Sequence, residues 1–197
     1  MPFSCTRSQS KDDLHRHSLL KKHVENCSKN DIQLNNLHLT DEDIPFVIKK
    51  LLKKTKYQTL SLASNQLTSQ SIEIIVSSLK SNEKLTHLIL SENPLGDSSI
   101  EFLCDLIKSS KNLYHISLSD TQLTDVAMKL LVDTLIQNSR SIRCIDLRSN
   151  RLITDSSIDL FIQLVENNQT LSACRLDNCG LSEQGKEQLK QIKSIKW

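Results

Sequence analysis

The sequence predicts an α/β solenoid built from about six consecutive strand–helix units of 28 to 29 residues. One leucine pattern returns at a nearly constant interval, and its second strand leucine stands at positions 34, 62, 90, 118, 147 and 176. Within each unit the apolar spacing changes from every second residue to every third or fourth, which is typical of a strand followed by a helix. Because one such unit cannot bury its apolar face alone, a fixed period of this length indicates units stacked on a continuous core.

The strand half of each unit begins near residue 29, 57, 85, 113, 142 or 171, and the copy at 85 reads LTHLILSENPL. Since side chains alternate along a strand, Leu88 and Leu90 are expected to face the core and the residues between them the opposite side. In most copies an Asn or Cys follows where the chain turns, and an Asn there can bond backbone groups that no sheet satisfies. The first and fourth copies carry Leu37 and Thr121 instead, so we expect imperfect bonding at these two positions.

The helix half of each unit has one apolar face, which we expect to pack against the strands. The predicted core residues of the helices are Ile44, Val47, Ile48 and Leu51; Ile72, Ile75, Val76 and Leu79; Ile100, Leu103, Cys104 and Ile107; Met128, Leu131, Val132 and Leu135; and Ile158, Phe161, Ile162 and Val165. Polar residues at the predicted helix starts, Asp97-Ser98, Asp125 and Asp155-Ser156, suit N-caps.

The two ends of the chain differ from the repeated units. Residues 1–28 are expected to form an N-terminal segment, loose over residues 1 to 10, with a helix that covers the first unit; the solenoid occupies 29–197. The apolar residues of that helix are Leu14, Leu19, Leu20 and Val24. In the last unit, lysines 186, 190 and 193 replace the apolar positions of Ile100, Cys104 and Ile107. A polar outer face suits the end of a stack, so we expect the array to close at the C-terminus.

The repeated line L-x-x-L-x-L-x-x-N/C-x-L, with the turns LGDSSI, LTDVAM and LTDEDI, resembles the ribonuclease-inhibitor type of leucine-rich repeat over about residues 29 to 197. The resemblance implies a curved α/β leucine-rich-repeat solenoid with parallel strands on its concave face and helices on its convex face. It also implies protein binding far more often than catalysis. The family motif specifies architecture and carries no catalytic residues.

On the predicted concave face, one group of residues lies on two adjacent strands: His87, Ile89, Tyr114 and His115. An outward isoleucine beside a tyrosine and two histidines fits the core of a protein-binding site, because aromatic anchors dominate many interfaces. Single exposed apolar residues are also normal on any surface, and the sequence leaves both interpretations open.

A second group is basic, since five of the seven arginines lie between residues 140 and 175: Arg140, Arg143, Arg148, Arg151 and Arg175. Asp146 and Asp177 interleave with them, which fits either cross-strand charge pairs or a site for an acidic partner. The residues predicted to bind a partner are His87, Ile89, Tyr114, His115, Arg143, Asp146, Arg148 and Arg175.

Composition disfavours several other classes. Only three glycines disfavour a Gly-rich nucleotide loop. A net charge of +2 with 4% aromatic residues gives no general case for nucleic-acid binding. No window approaches the ~18 consecutive apolar residues of a membrane span, and the N-terminus has no signal-peptide core, so we expect a cytosolic protein without membrane insertion. The six cysteines form no C-x-x-C pair, which favours free thiols.

Neither a metal site nor a catalytic site is expected, and no cofactor is implied. Of the candidates His15, His17, His23 and Cys27, only the last two share a helical face, and two ligands do not close a zinc site. His87, His115 and Cys144 fall in one column of successive strands, but no carboxylate in that column could orient a base.

These observations predict a non-enzymatic module that binds a partner protein through its concave face. An alternative is a regulator of a small GTPase, because activators of the Ran type also use ribonuclease-inhibitor-like repeats; those typically carry more repeats and an acidic tail. The free-standing array also resembles leucine-rich-repeat effectors that intracellular bacteria deliver into the host cytosol, in which case the partner would be a host protein. The sequence indicates neither the partner's identity nor the oligomeric state.

Overall fold

The computed structural model describes residues 11–51, 57–80, 82–138, 141–190, 192 and 194–196. Within these residues short strands alternate with helices along the chain. The strands are β1 Asp31–Gln33, β2 Thr59–Ser61, β3 His87–Ile89, β4 His115–Ser117, β5 Cys144–Asp146, β6 Ala173–Arg175 and β7 Ile195–Lys196. The helices are α1 Lys11–Asn26, α2 Ile44–Leu51, α3 Ser69–Leu79, α4 Ile100–Ser109, α5 Asp125–Asn138, α6 Ile158–Asn167 and α7 Glu183–Lys190.

The described strands form one parallel sheet in chain order, from β1 to β7. Its register confirms the predicted columns: Thr59 pairs with His87, His87 with His115, and His115 with Cys144. The predicted inward leucines Leu88 and Leu90 are fully buried. Neighbouring strands lie about 4.8 Å apart, whereas packed helices need about 8–10 Å, so the stack curves with the strands on the concave face. The fold is therefore the predicted curved α/β leucine-rich-repeat solenoid.

The helices bury the predicted faces in all units except the one that contains α6. In α6, Phe161 and Leu164 are buried, whereas the predicted core residues Ile162 and Val165 are only partly covered. The following helix α7 is short, and it buries only Gly185 and Leu189. A Cβ atom at Gly185 would collide with the Asp155 and Ile158 side chains, so α7 lies close to the start of α6. This asymmetric cover explains why the outer part of α6 keeps solvent contact.

Buried asparagines connect successive units, as predicted from their column. The Asn93 amide donates to the carbonyls of Leu62, Leu90 and Ser91, and its Oδ1 atom accepts the Leu67 amide at 3.0 Å. Where the next unit lacks this asparagine, the amide that would donate to it forms a hydrogen bond within its own turn. The Leu95 amide donates to the Asn93 carbonyl, and the Ile153 amide donates to the Asn150 carbonyl. Thr121, which stands in place of an asparagine, supplies one of the missing side-chain hydrogen bonds, because its hydroxyl donates to the Leu118 carbonyl at 2.7 Å.

The aspartates predicted as N-caps have a different role, so that prediction was wrong. The side-chain oxygens of Thr68, Thr124 and Thr154 instead accept the amide two residues further on. Each aspartate instead accepts hydrogen bonds from the following unit: Asp97 from Thr124, Asp125 from Thr154 and Asp155 from Ser182. The side chains reach across because parallel stacking places the same loop of the next unit beside them. These bonds therefore hold units together rather than starting helices.

Helix α1 lies against α2 at the N-terminal end and buries Leu20 and Val24, as predicted. The prediction was wrong for Leu19, which is 51% exposed, because it lies outside the i, i+4 face that Leu20 and Val24 bury; the Leu14 side chain and residues 1–10 lie outside the described part. Arg16 joins α1 to the first unit by donating through Nε and Nη2 to Asp43 at 2.8 and 2.7 Å. A division of the chain at residues 28 and 29 stays a prediction.

The C-terminal end carries a strand that the sequence analysis missed. Ile195 pairs with Cys174 and Lys196 with Arg175, so β7 extends the parallel sheet after β6. Lys186 and Lys190 face solvent on α7 and contact Glu183 and Glu187. Lys196 is exposed on β7, next to the buried Ile195. Lys193 and Trp197 lie outside the described residues.

Each turn after strands β1 to β6 contains a residue with left-handed backbone geometry. The series is Asn36, Ser64, Glu92, Asp120, Ser149 and Asn178, with φ between 53° and 62°. This conformation costs most L-residues roughly 1–2 kcal/mol. Asparagine tolerates it better than serine does, because its short polar side chain forms local hydrogen bonds there.

We therefore expect Ser149→Asn to raise the free energy of unfolding by about 0.5 to 1 kcal/mol. Urea denaturation measures the change. Ser98→Asn is the matched control, since Ser98 is exposed and its φ is not positive. Equal effects of the two substitutions would contradict strain at Ser149.

Candidate protein-binding face

The sheet brings the eight predicted binding residues onto four neighbouring strands and the positions that flank them. His87 and His115 pair across β3 and β4, and Asp146 pairs with Arg175 across β5 and β6. We call the set the concave strip, and its members are His87, Ile89, Tyr114, His115, Arg143, Asp146, Arg148 and Arg175. Hydrogen-bonded strands fix the backbone of the strip, so its side chains project from a rigid base.

Three rings form the β3–β4 end of the strip. The His87 ring centroid lies 5.8 Å from that of Tyr114 and 5.7 Å from that of His115, the latter in an edge-to-face arrangement. Tyr114 is 47% exposed, and Ile89 beside it is partly exposed. The cluster thus offers a tyrosine ring and an aliphatic side chain to solvent on a concave surface.

Thr86, which sequence reasoning did not select, orients His87. Its Oγ1 atom lies 2.8 Å from His87 Nδ1 and also donates to the Gln58 carbonyl at 3.1 Å. Because the hydroxyl proton points to Gln58, the threonine oxygen accepts from Nδ1–H of His87. A sequence signal for this role was present, because Thr86 directly precedes His87, the first residue of β3.

His115 is the most covered ring of the cluster. Burial lowers its pKa, and the neighbouring His87 lowers it further, with Arg175 and Arg148 acting in the same direction and Asp146 opposing them. The imidazole is therefore neutral at pH 7. Its Nε2 atom is buried and has no hydrogen-bond partner among the residues that the structure describes.

A charged cluster forms the β5–β6 end of the strip. Asp146 accepts from Arg148 Nε at 2.9 Å and from Arg148 Nη2 at 2.8 Å, and Arg175 Nη1 lies 3.9 Å from the same carboxylate. Burial alone would raise the pKa of Asp146, but the hydrogen bonds and charge of Arg148 hold that pKa below its usual value. Asp146 is only 2% exposed, so it positions the arginines and has little surface of its own for a partner.

The other basic residues have distinct surroundings. Arg143 donates through Nη1 to the Thr170 carbonyl at 3.0 Å, which directs its guanidinium toward the β6 side of the strip. Arg151 is exposed in the turn after β5 and Arg140 lies outside the described residues. The cross-strand charge pairing considered from sequence is thus present, but it centres on one aspartate.

Exposed apolar residues that the sequence analysis did not select lie around α5. Val126 and Leu130 are on the outer face of this helix, and Leu152 lies in the turn before α6. Leu152 accepts the Asp125 amide through its carbonyl, so it is close to the start of α5. Their sequence signal was weak, because each directly precedes a buried apolar residue, Ala127, Leu131 or Ile153, and so resembles part of the core pattern.

The described residues contain no cluster of three or more side chains suited to bind a metal ion. Burial raises the pKa of the Cys144 thiol, so this cysteine lacks the thiolate character of a catalytic nucleophile. In the part of the chain that the structure describes, Cys27, Cys104, Cys144, Cys174 and Cys179 form no disulfide bond. None of the described helices has the length and apolar character needed to cross a membrane.

Comparison with known proteins agrees with the fold. A family described as Leucine Rich repeat matches residues 81–104, the stretch around β3 and the start of α4. No curated protein matches the sequence significantly. Together with the parallel sheet and stacked helices, the match defines a protein of leucine-rich-repeat architecture.

Solved structures share this architecture at low sequence identity. The actin-binding site 2 of leiomodin-1 has 11% identity and a TM-score of 0.54, with 95% of this chain and 90% of that chain covered. The tropomodulin C-terminal domain of Caenorhabditis elegans has 13% identity and a TM-score of 0.54, with 91% and 89% covered. A chain of the yeast Rad7–Elc1 complex has 21% identity and a TM-score of 0.58; the match spans 82% of this chain and 38% of that chain.

Proposed function

We propose that this protein is a non-enzymatic interaction module that binds a partner protein through the concave strip. One observation carries the proposal: a half-exposed tyrosine, Tyr114, lies against the His87 ring at the start of β4, the middle strand of the described concave sheet. Tyrosine is enriched at the residues that dominate binding energy, because it buries a large ring and still satisfies its hydroxyl.

The geometry of the strip favours binding for a second reason. Association costs free energy for every side chain that must be ordered at the interface. Here Arg148 is already oriented by Asp146, and His87 by Thr86, before any partner arrives. Because less free energy is lost in ordering these side chains on binding, more of the contact free energy contributes to affinity.

Proteins of the same fold support this use. The leiomodin-1 structure is titled as an actin-binding site, and Rad7 is described in complex with Elc1. Both titles associate this architecture with binding to another protein, although they do not define the partner of this chain.

The two narrower predictions from sequence gain no support. A GTPase activator that used Arg148 as a catalytic arginine would need a guanidinium free to move, and Arg148 is held by Asp146 through two nitrogens. An effector role in a host cytosol stays a prediction from the sequence, as does the cytosolic location itself.

The test is a quantitative pull-down from eukaryotic cell lysate with the natural chain and an Ile89→Ala, Tyr114→Ala variant. We expect partners captured by the natural chain to fall about tenfold or more with the variant, since truncated hot-spot residues often cost 2 kcal/mol or more. Val126→Ala, Leu152→Ala is the matched control, because it removes exposed apolar groups outside the strip.

Loss of the partner with the control but not with the strip variant would contradict the proposal and assign binding to the surface around α5. Urea denaturation of all three proteins shows whether a loss reflects folding rather than contact.

A further inference from the structure

We infer that the partner presents an acidic segment, whose carboxylates bind the β5–β6 end of the concave strip while an apolar or aromatic residue contacts Tyr114. The inference rests on the proposed function, because it concerns the same face. It adds the chemistry of the partner, which neither the fold nor the comparisons provide.

The first support is the charge balance at that end. Three guanidinium groups, those of Arg143, Arg148 and Arg175, lie beside two carboxylates, Asp146 and Asp177. Asp146 is shared between two arginines, and its contact with Arg175 is long at 3.9 Å. Arg143 bonds to a neutral carbonyl, which leaves its charge uncompensated there. Among these five side chains at the β5–β6 end, the cations therefore outnumber the anions by one.

The second support is accessibility. The side chains of Arg148 and Arg175 are 43% and 42% exposed, whereas Asp146 beneath them is buried. The cations thus lie above the anion and face the concave space. Arg148 uses Nε and Nη2 for Asp146, and its Nη1 makes no hydrogen bond to the described residues. A guanidinium held this way can donate to a carboxylate without losing its orientation.

The spacing of the strip sets the length of the segment. Tyr114 lies beside β4, and β4 and β6 are two strand intervals apart, or about 10 Å at about 4.8 Å each. An extended chain covers that distance in about three residues at about 3.3 Å per residue. The partner should therefore carry an apolar or aromatic side chain about three positions from its acidic residue.

His115 belongs to the ring cluster and lies on β4, the strand that pairs with β5 of the charged end, and burial keeps its imidazole neutral. It adds no charge at pH 7, so the positive surplus belongs to the arginines. Tyr114 is the single exposed ring of the described strip, and Asp177 interrupts the cations. Nucleic acid prefers repeated stacking aromatics with uninterrupted basic residues, so a protein carboxylate fits better.

The experiment selects random 12-residue peptides displayed on phage against the natural chain, then measures enriched peptides by fluorescence anisotropy at low and physiological salt. We expect enrichment of Asp or Glu about three positions from an aromatic or aliphatic residue. Affinity should fall as salt rises, because the contact is between exposed charges.

Two variants test the charge directly. Arg175→Gln should weaken binding of the selected peptides about three- to tenfold, and Asp177→Asn should strengthen it by about twofold or more. Both leave the Asp146–Arg148 pair in place. Lys80→Gln removes the same charge at the end of α3, away from the strip, and should leave affinity unchanged.

The outcomes separate the two proposals. Enriched peptides that are neutral or basic, yet lose binding with Tyr114→Ala, would overturn the acidic partner and keep the proposed function. Acidic peptides insensitive to both Arg175→Gln and Tyr114→Ala, or no enrichment at all, would count against both. A labelled 12-nucleotide single strand that binds more tightly than the selected peptides, and weakens with Arg175→Gln, would replace the protein partner by nucleic acid.

Discussion

Asn150→Ala is expected to lower the free energy of unfolding by about 3 to 5 kcal/mol, because several buried backbone groups would lose their partners together. The Asn150 Oδ1 atom accepts the amides of Thr121 and Leu123, each at 3.0 Å. Its Nδ2 atom donates to the carbonyls of Leu118 and Leu147 at 2.8 and 2.9 Å. Asn150 is only 1% exposed, so water cannot replace these bonds without opening the stack. Urea denaturation measures the loss.

Two further substitutions make the test specific. Asn150→Thr should cost less than alanine, since Thr121 occupies the equivalent position and still donates to a carbonyl. Asn167→Ala removes an exposed asparagine at the end of α6 and should change stability by less than about 0.5 kcal/mol. A loss of less than 1 kcal/mol for Asn150→Ala would show that the column contributes little to stability.

The asparagine column to which Asn150 belongs could be predicted from the sequence, because its members recur with the period of the repeat. The strand leucines, the asparagine and the apolar helix face recur at fixed positions in each unit, so the repeat alone predicts that these positions are buried and that the asparagine bonds backbone groups. The same reasoning failed for Asp97, Asp125 and Asp155. Their partners lie in the next unit, and only the three-dimensional stacking shows that the loops are close enough to bond.

For the concave strip, too, the sequence predicted some features and not others. Side-chain alternation and the constant period were sufficient to predict which residues share a column, and the register confirms it. The burial of Asp146 beneath Arg148 depends on rotamers and on the curvature of the sheet, which no residue pattern encodes. Strand β7 was missed because its two residues, Ile195 and Lys196, are too short for a periodic signal.

Asp43→Ala is the second substitution for which we expect a large effect, a loss of about 3 kcal/mol in the free energy of unfolding. Asp43 is 4% exposed and accepts from Arg16 through two nitrogens and from the Thr40 amide and hydroxyl. Its removal leaves the Thr40 amide without that partner and separates α1 from the first unit. Asp105→Asn, which affects an exposed pair with Lys108, is the control and should cost less than about 1 kcal/mol.

The same carboxylate predicts a dependence on pH. Burial alone would raise the pKa of Asp43, but the hydrogen bonds from Arg16 and Thr40 and the charge of Arg16 lower it below its usual value. A lowered pKa in the folded state stabilises the protein above the unfolded pKa of about 4, and this contribution is lost as the pH falls through the folded pKa. The stability difference between the natural chain and Asp43→Asn should therefore be constant near neutral pH and shrink below about pH 4. A difference that is unchanged in acid would show that the charge of Asp43 is not what fastens α1.

The position of the loss along the solenoid can be measured as well. In a stack each unit contacts only its neighbours, so a defect at one end opens that end first. Hydrogen exchange in Asp43→Ala should accelerate in α1, around Leu20 and Val24, while the amides of β4 and β5 stay protected. Because the concave strip begins at β3, partner binding should survive the substitution. Equal acceleration in α1 and β5 would mean that the chain unfolds as one unit, and that the ion pair at its N-terminal end supports the binding face at a distance.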